Sequence, residues 1–329
     1  MTIERVTKED TMRAVRYEAY GPAEVLRTVE VEVPQVGRTD VEVTVGGASV
    51  SGAEIPVRSG NLRRVVRQRM PAGTGVDFAG TVTSVGPAVT RVSAGDTVWG
   101  VMPHLTFGAV AERVVVPERC VAPAPSNVSE IEAAALASSG TTALHALIAK
   151  ADLRPGQRLL VRGATGGVGV VAVQLGATLG AHVTALARAD SLDWIRSLGA
   201  DEALDYRTTR PEDLATFDVI VDLVGTELRA FRRRLVPKGV MVALALDSRR
   251  PIRSALAVAV DGLDRRTRLT AFSNDPTPAD LDRLRGFVES GAIRPIVHDV
   301  LPMHEIVAAH HHLAQGGVRG KIVIDARSR

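Results

Sequence analysis

The stretch Leu159-Leu160-Val161-Arg162-Gly163-Ala164-Thr165-Gly166-Gly167-Val168-Gly169 carries an apolar strand straight into a glycine-rich turn. Residues 169–179 then read as a helix, and 182–186 as a second strand. Strand, glycine turn, helix and strand in that order form a βαβ unit suited to a dinucleotide. Small side chains let phosphates approach the backbone, and the helix N-terminus offers unpaired N–H groups and the positive end of its dipole. The fingerprint is A-x-G-x-x-G, with Ala164 where a first glycine usually stands. Glycine pairs also occur in plain tight turns, so the weight rests on the flanking elements. Ala164, Thr165, Gly166, Gly167 and Val168 are expected to line the pyrophosphate.

The end of the second strand separates the two nicotinamide cofactors. NAD sites usually place a carboxylate there for the ribose hydroxyls. This chain has Ala187-Arg188, and Asp190 falls beyond the expected strand. A guanidinium can hold a 2′-phosphate bidentately, whereas a carboxylate repels it. The local chemistry therefore favours NADPH over NADH; the other reading of Arg188 is an exposed arginine in an arginine-rich chain.

Working outward, strands and helices keep alternating. Residues 192–198 read as helix, 202–205 and 218–224 as strands, 228–235 as helix and 240–246 as strand. Such spacing implies parallel strands with crossover helices in a doubly wound sheet. Upstream, 13–17, 41–45, 80–85, 97–101 and 111–116 read as short strands punctuated by Gly and Pro, an all-β, barrel-like portion. Ser129 begins a capped helix, and 141–151 is a second helical stretch. After Pro278 come a helix at 281–290, a strand near 296–300, a His-rich helix from His304 and a strand at 321–324. The expected division is a β-rich domain from 12–127 and 274–329, a dinucleotide-binding domain at 128–273, and a flexible tail at 1–11.

Composition narrows the function classes. The chain has 329 residues, enough for two domains, with 45% apolar and 23% charged residues, the balance of a soluble globular protein. No apolar run free of charge or glycine reaches the roughly 18–20 residues of a membrane span. The first ten residues, MTIERVTKED, lack an apolar signal core. A single cysteine, Cys120, excludes an internal disulfide framework and fits a reducing compartment, so the expectation is a cytoplasmic protein with no membrane partner. The net charge is +3 and arginine supplies most of the cations, with lysine only at Lys8, Lys150, Lys238 and Lys321. Acidic residues are interspersed and aromatics make up only 3%, which argues against a nucleic-acid surface.

Further segments, taken in order, resemble the medium-chain dehydrogenase/reductase superfamily, in particular its zinc-independent quinone oxidoreductase branch. They are Ala19-Tyr20-Gly21-Pro22, Arg58-Ser59-Gly60, Gly75-Val76-Asp77-Phe78-Ala79-Gly80, Gly95-Asp96-Thr97-Val98-Trp99-Gly100 and Gly108-Ala109-Val110-Ala111-Glu112. Gly140-Thr141-Thr142-Ala143-Leu144, Leu198-Gly199-Ala200-Asp201, Asp222-Leu223-Val224-Gly225 and Gly320-Lys321-Ile322-Val323 follow. The resemblance runs from Met12 to Asp325. It implies an α/β protein: a GroES-like β-rich catalytic domain built from both chain ends around a Rossmann doubly wound parallel-sheet domain, with the active site in the cleft between them. It also implies a homodimer paired through a Rossmann edge strand, here 268–272. Arg188 and Tyr206 occupy the places where such proteins bind a 2′-phosphate. Thr142 would lie near the nicotinamide ribose, and Val224 and Leu246 complete the expected cofactor-binding set.

The zinc-dependent branch needs ligands that are missing. The first catalytic ligand falls around Ser49, the Gly-His-Glu position reads Gly75-Val76-Asp77, and Cys120 stands alone. A catalytic zinc takes about three protein ligands, normally N or S donors, so no zinc and no other metal is expected. His310-His311-His312 cannot converge on one ion from a helix, where neighbours are offset by about 100°; a polar face is expected. The zinc-free branch often carries Asn-x-x-Asp with a nearby tyrosine, whereas this chain reads Ser51-Gly52-Ala53-Glu54-Ile55-Pro56. None of Tyr17, Tyr20 and Tyr206 is placed as a proton donor.

Three residues are candidates for chemistry. Ser51 is expected to touch substrate or nicotinamide, or else to stabilise a turn. Glu54 orients a water or serves structure. His104 is a candidate proton donor, or a surface-loop residue. Arg58, Arg63, Arg64, Arg67 and Arg69 form a cluster that either attracts an anionic, carrier-linked substrate or is a solvated loop. The expected function is NADPH-dependent hydride transfer, without zinc, to a quinone, enone or other conjugated carbonyl, free or carrier-linked. The alternatives are a metal-free alcohol or carbonyl dehydrogenase, a biosynthetic enoyl reductase, and an NADPH-binding protein with little turnover.

Overall fold

A computed structural model describes residues 11–245 and 266–328, and these divide into two compact units. The larger unit is organised by the strand Asp40–Val50, whose Val41, Val43, Val45, Ala48 and Val50 are all buried. It pairs antiparallel with Asp77–Val85, with Arg113–Pro117 and with Lys321–Asp325 near the far end of the chain. Lys321–Asp325 pairs in parallel with Val297–Pro302. Thr97–Val101 and Val121–Pro123 extend the other side, giving seven strands among the described residues. A second sheet places Thr11–Tyr17 between Arg27–Glu32 and Ala72–Gly73. This is the GroES-like domain, and its core gathers Val43, Phe78, Val98, Val116 and Ile322.

The strand Arg27–Glu32 lies outside the sequence expectations for a physical reason. It is an edge strand and almost wholly exposed, so no buried face imposes an apolar alternation on it. The helix Glu130–Ala134 starts with Ser129 and Glu132 in a reciprocal capping box. It lies on the strand Asp40–Val50 at Gly47, where an added Cβ would stand 3.0 Å from the Ile131 Cα. The contact boundary accordingly falls after Ser138, beyond the 127/128 division expected from composition.

The smaller unit is a six-stranded parallel sheet among the described residues. Its order is Glu202–Asp205, His182–Ala187, Arg158–Arg162, Phe217–Asp222, Leu235–Ala243 and Arg268–Thr270. That order, third strand outermost and first strand central, is the Rossmann arrangement. Leu159, Leu160 and Val161 are fully buried, the near-continuous apolar run of a strand covered on both faces. The helix expected over 228–235 stops at Arg232, because Leu235 opens the strand that pairs with Phe217. Ser290–Arg294 joins this unit, with the Gln174 side chain bonded to both the N–H and the carbonyl of Arg294. Among the described residues no helix is long and apolar enough to cross a membrane.

A buried ion pair fastens the larger unit. Asp77 has no exposure, and its Oδ2 accepts from Ser49 Oγ at 2.5 Å and lies 2.9 Å from Lys321 Nζ. Its Oδ1 accepts the Ser138 N–H at 2.6 Å. Removing one partner of such a pair strands a charge and costs about 3–5 kcal/mol. Lys321→Met should therefore lose about that much in urea unfolding, and adding Asp77→Leu should recover most of it. A single variant as stable as the parent would show that the pair does not hold the sheet.

Candidate functional site

In the Rossmann unit the chain leaves the strand Arg158–Arg162 at Gly163, which takes a φ of +78° that favours glycine. The helix Gly167–Thr178 follows, and its N-cap, Gly166, supplies no side-chain bond to the first turn. Gly169 sets how closely turn and helix pack: a Cβ there would stand 2.2 Å from the Gly163 carbonyl oxygen. Gly166 is the opposite case, since its Cβ would meet nothing nearer than 3.8 Å and its φ of −74° suits any residue. A glycine that the protein's own packing does not require, beside an uncapped helix start, fits a backbone kept bare for a phosphate. Ala164 is fully buried, whereas Thr165, Gly167 and Val168 are partly accessible.

The next two strands in the sheet end side by side. Ala187 is in register with Asp205, and the Tyr206 N–H donates to the Ala187 carbonyl at 3.1 Å. Arg188 and Tyr206 thus leave neighbouring strand ends, and Tyr206 is half exposed. Arg188 Nη2 is held 2.8 Å from Asp190, whose other oxygen accepts from Ser191 Oγ at 2.8 Å. Arg207, which the sequence reading missed, places its guanidinium 6.0 Å from the Tyr206 ring centre. Its position directly after Tyr206 was the available signal.

The turn after the strand Phe217–Asp222 is organised by charge. Asp222 Oδ1 accepts the N–H groups of Val224 at 3.0 Å and Gly225 at 2.6 Å, while Oδ2 meets the Arg162 guanidinium. Arg162 also donates to the Thr226 carbonyl at 2.8 Å and stacks 3.5 Å from the Phe231 ring centre. The result is an exposed Val224. Thr142 is largely buried on the helix Ala137–Leu144, and beside it Thr141 accepts from Asn274 at 2.9 Å. Leu246 lies outside the described residues.

In the GroES-like unit, Ser51 and Glu54 occupy one turn. Glu54 is 2% exposed and its carboxylate is fully engaged. Oε1 accepts the Ser51 N–H at 2.8 Å; Oε2 accepts from Thr74 Oγ1 at 2.5 Å and from the Gly75 N–H at 2.6 Å. Burial raises its pKa against the opposing effect of these bonds and of Lys321. His104 is exposed in its loop and is not brought into this cluster. Arg58 separates from the other arginines: it is buried and donates to the Gly21 carbonyl at 2.7 Å, while Arg63, Arg64, Arg67 and Arg69 are exposed.

The three histidines do not form a common polar face. His311 bonds Glu24 at 2.7 Å and His312 lies 3.6 Å from Asp299, both at the surface. His310 is fully buried, with Nε2 3.3 Å from Thr74 Oγ1. The correction follows from helix geometry: the 100° offset that keeps three histidines from one ion also turns the first of them into the core.

The positions that serve as zinc ligands in relatives do not fit a metal. Ser49 donates to Asp77, Asp77 is bound by an ammonium, and Val76 is an alkyl group. The buried Cys120 thiol has a raised pKa, the wrong direction for a thiolate ligand.

Residues 37–126 match the family described as alcohol dehydrogenase GroES-like domain, and residues 198–324 the one described as zinc-binding dehydrogenase. The chain is 30% identical over 328 residues to the chloroplast envelope quinone oxidoreductase homolog of Arabidopsis thaliana, covering 95% of this chain and 98% of that protein. It belongs to the medium-chain dehydrogenase/reductase superfamily, in the quinone oxidoreductase-like branch. This oxidoreductase is also 32% identical to the 2-methylene-furan-3-one reductase of Solanum lycopersicum, covering 95% of its own chain and 79% of the relative. Among solved structures, it matches the quinone oxidoreductase from Coxiella burnetii with a TM-score of 0.86 and 26% identity, over 96% and 100% of the two chains.

Burial lowers the His310 pKa to about 4, so the folded chain resists a proton that the unfolded chain accepts near the ordinary value of about 6.5. Its contribution to stability is present above about pH 6.5 and is lost as pH falls towards about 4. His310→Leu should therefore lose less of its urea midpoint than the parent between about pH 7 and pH 5. Parallel losses in the two proteins would assign the acid sensitivity elsewhere.

Proposed function

We propose that this oxidoreductase is a zinc-independent, NADPH-dependent reductase of quinones, enones or related conjugated carbonyls. The observation that carries the reading is the bare, uncapped helix start at Gly166, set beside strand ends bearing Arg188 and Tyr206. In this reading Ala164, Thr165, Gly166, Gly167 and Val168 hold the pyrophosphate through backbone N–H groups. Arg188 and Tyr206 receive the 2′-phosphate, while Thr142, Val224 and Leu246 border the rest of the nucleotide. When bound, the cofactor supplies a hydride to the conjugated carbonyl.

The chain's own residues position the acceptor and manage the proton. The Ser51 N–H is tied to Glu54, which fixes the turn that presents the Ser51 hydroxyl. Glu54 is a positioning residue rather than a surface acid. Zinc independence rests on the donors at the family's ligand positions, which are a serine, an alkyl chain and an ion-paired carboxylate. The edge position of Arg268–Thr270 supports a homodimer through that strand, and the single cysteine supports a cytoplasmic location.

Turnover of NADPH with a panel of quinones and enones tests the reading. Consumption with at least one acceptor, unaffected by chelator, is expected. Tight NADPH binding without turnover on any acceptor would leave a binding protein instead. In a separate measurement Arg188→Ala should weaken NADPH by about tenfold or more, the value of a lost charge-assisted contact, and NADH far less. Equal weakening of both would remove Arg188 from the 2′-phosphate site.

A further inference from the structure

The second strand of the Rossmann unit ends on a cation that is already answered. In the turn over 188–191 the Ser191 N–H donates to the Arg188 carbonyl at 2.9 Å and folds the chain back. This brings the Asp190 carboxylate onto the guanidinium two residues before it. Asp190 Oδ2 accepts from Arg188 Nη2 at 2.8 Å, and Oδ1 accepts from Ser191 Oγ at 2.8 Å. Ser191 is 4% exposed, so the hydroxyl that steers the carboxylate is fixed by packing. An exposed ion pair left to its own rotamers contributes little. Here the acidic member is held in place.

The pair still leaves the arginine partly unused. Nη2 meets the carboxylate, whereas Nε is buried with no hydrogen-bond partner. A guanidinium can give a phosphate two parallel bonds, and a phosphate monoester brings nearly two negative charges where a carboxylate brings one. A phosphate at this corner can therefore take Arg188 from Asp190. It does so by breaking an existing contact, and a fixed negative charge stays close by. A ribose hydroxyl makes no such demand and leaves the pair intact. The other carboxylate at the two strand ends, Asp205, is turned to the Arg207 N–H at 3.0 Å.

We propose that Asp190 is an internal counterion that sets how strongly this corner prefers a 2′-phosphate to a ribose hydroxyl. It holds Arg188 when no phosphate is present and gives it up when one binds. This rests on the NADPH reading, since Arg188 has to be the group that receives the phosphate. The broken contact and the remaining repulsion both weaken the phosphorylated cofactor, and neither applies to the unphosphorylated one. Asp190 is thus a specificity-determining residue working against Arg188, and the cofactor preference is the difference between them.

Calorimetric titration of the full-length protein with adenosine 2′,5′-bisphosphate and with adenosine 5′-monophosphate tests this. The two probes differ only at the 2′ position. Asp190→Asn keeps an acceptor for Ser191 and removes the charge. It should raise the preference for the bisphosphate by about fivefold, with affinity for the monophosphate little changed. In the Arg188→Ala background the same substitution should give about twofold at most, because the two side chains share one contact and only repulsion is left. If Asp190→Asn leaves the preference unchanged while Arg188→Ala lowers it, the counterion role is overturned and the NADPH reading stands. An equal gain in both backgrounds also overturns it, since Asp190 is then an independent surface charge. A preference that Arg188→Ala does not alter removes Arg188 from the phosphate site, and the proposal with it.

Discussion

A carboxylate cut off from water has to be surrounded by donors or lose its charge, and the GroES-like unit is arranged around two of them. Asp77 draws one partner from the strand Asp40–Val50, one from Lys321–Asp325 and one from Ser138. Three segments far apart in sequence meet because one side chain needs all of them. Glu54 imposes the same demand a short distance along the chain: Ser51, Thr74 and Gly75 are brought to it, and the turn presenting Ser51 is fixed as a result. Ser49, Asp77 and Lys321 are thus committed to one ion pair and its hydrogen bonds. Neither carboxylate is free to act as a solvent-exposed acid.

The Rossmann unit solves a different problem. Its glycines divide the labour: Gly169 is required by the protein's own packing, Gly166 is not. Charge enters only at the strand ends. There Arg188 is already paired with Asp190, so in the proposed NADPH reading a 2′-phosphate would compete with an internal carboxylate for the guanidinium. Arg207, one residue past Tyr206, donates its N–H to Asp205 and sets its guanidinium beside the Tyr206 ring.

Legibility followed the range of the interactions. The βαβ unit was readable because its cause is local: an apolar strand, glycines at the turn and a helix occur within a few dozen residues. Ser129 and Glu132 announced their helix in the same way. Arg27–Glu32 was unreadable because only pairing with Thr11–Tyr17 makes it a strand. The site divided along the same line. Ser51 and Glu54 could be singled out by position, but Glu54's full engagement depends on Thr74 and Gly75. His310 sits in a run that looks like surface, and nothing nearby in sequence reports that it is turned onto Thr74. The Asp190 contact was one residue from recognition, since spacing alone does not say which way a side chain after a strand will fold.

The strand Lys321–Asp325 lies between Val297–Pro302 and Asp40–Val50. During synthesis, the strands flanking it on one side are made early, and the strand itself only after the ribosome has passed through the nucleotide-binding unit. Among the described residues the six parallel strands of that unit follow one another and can pair as they emerge, whereas the GroES-like sheet waits across a very long loop closure. In the interval residues 47–50 on one edge of Asp40–Val50 lack the neighbour they later gain, and Asp77 has no ammonium. The nascent protein therefore carries a short open stretch of apolar sheet edge and a charge site still accessible to water, and Lys321–Asp325 both covers the one and neutralises the other.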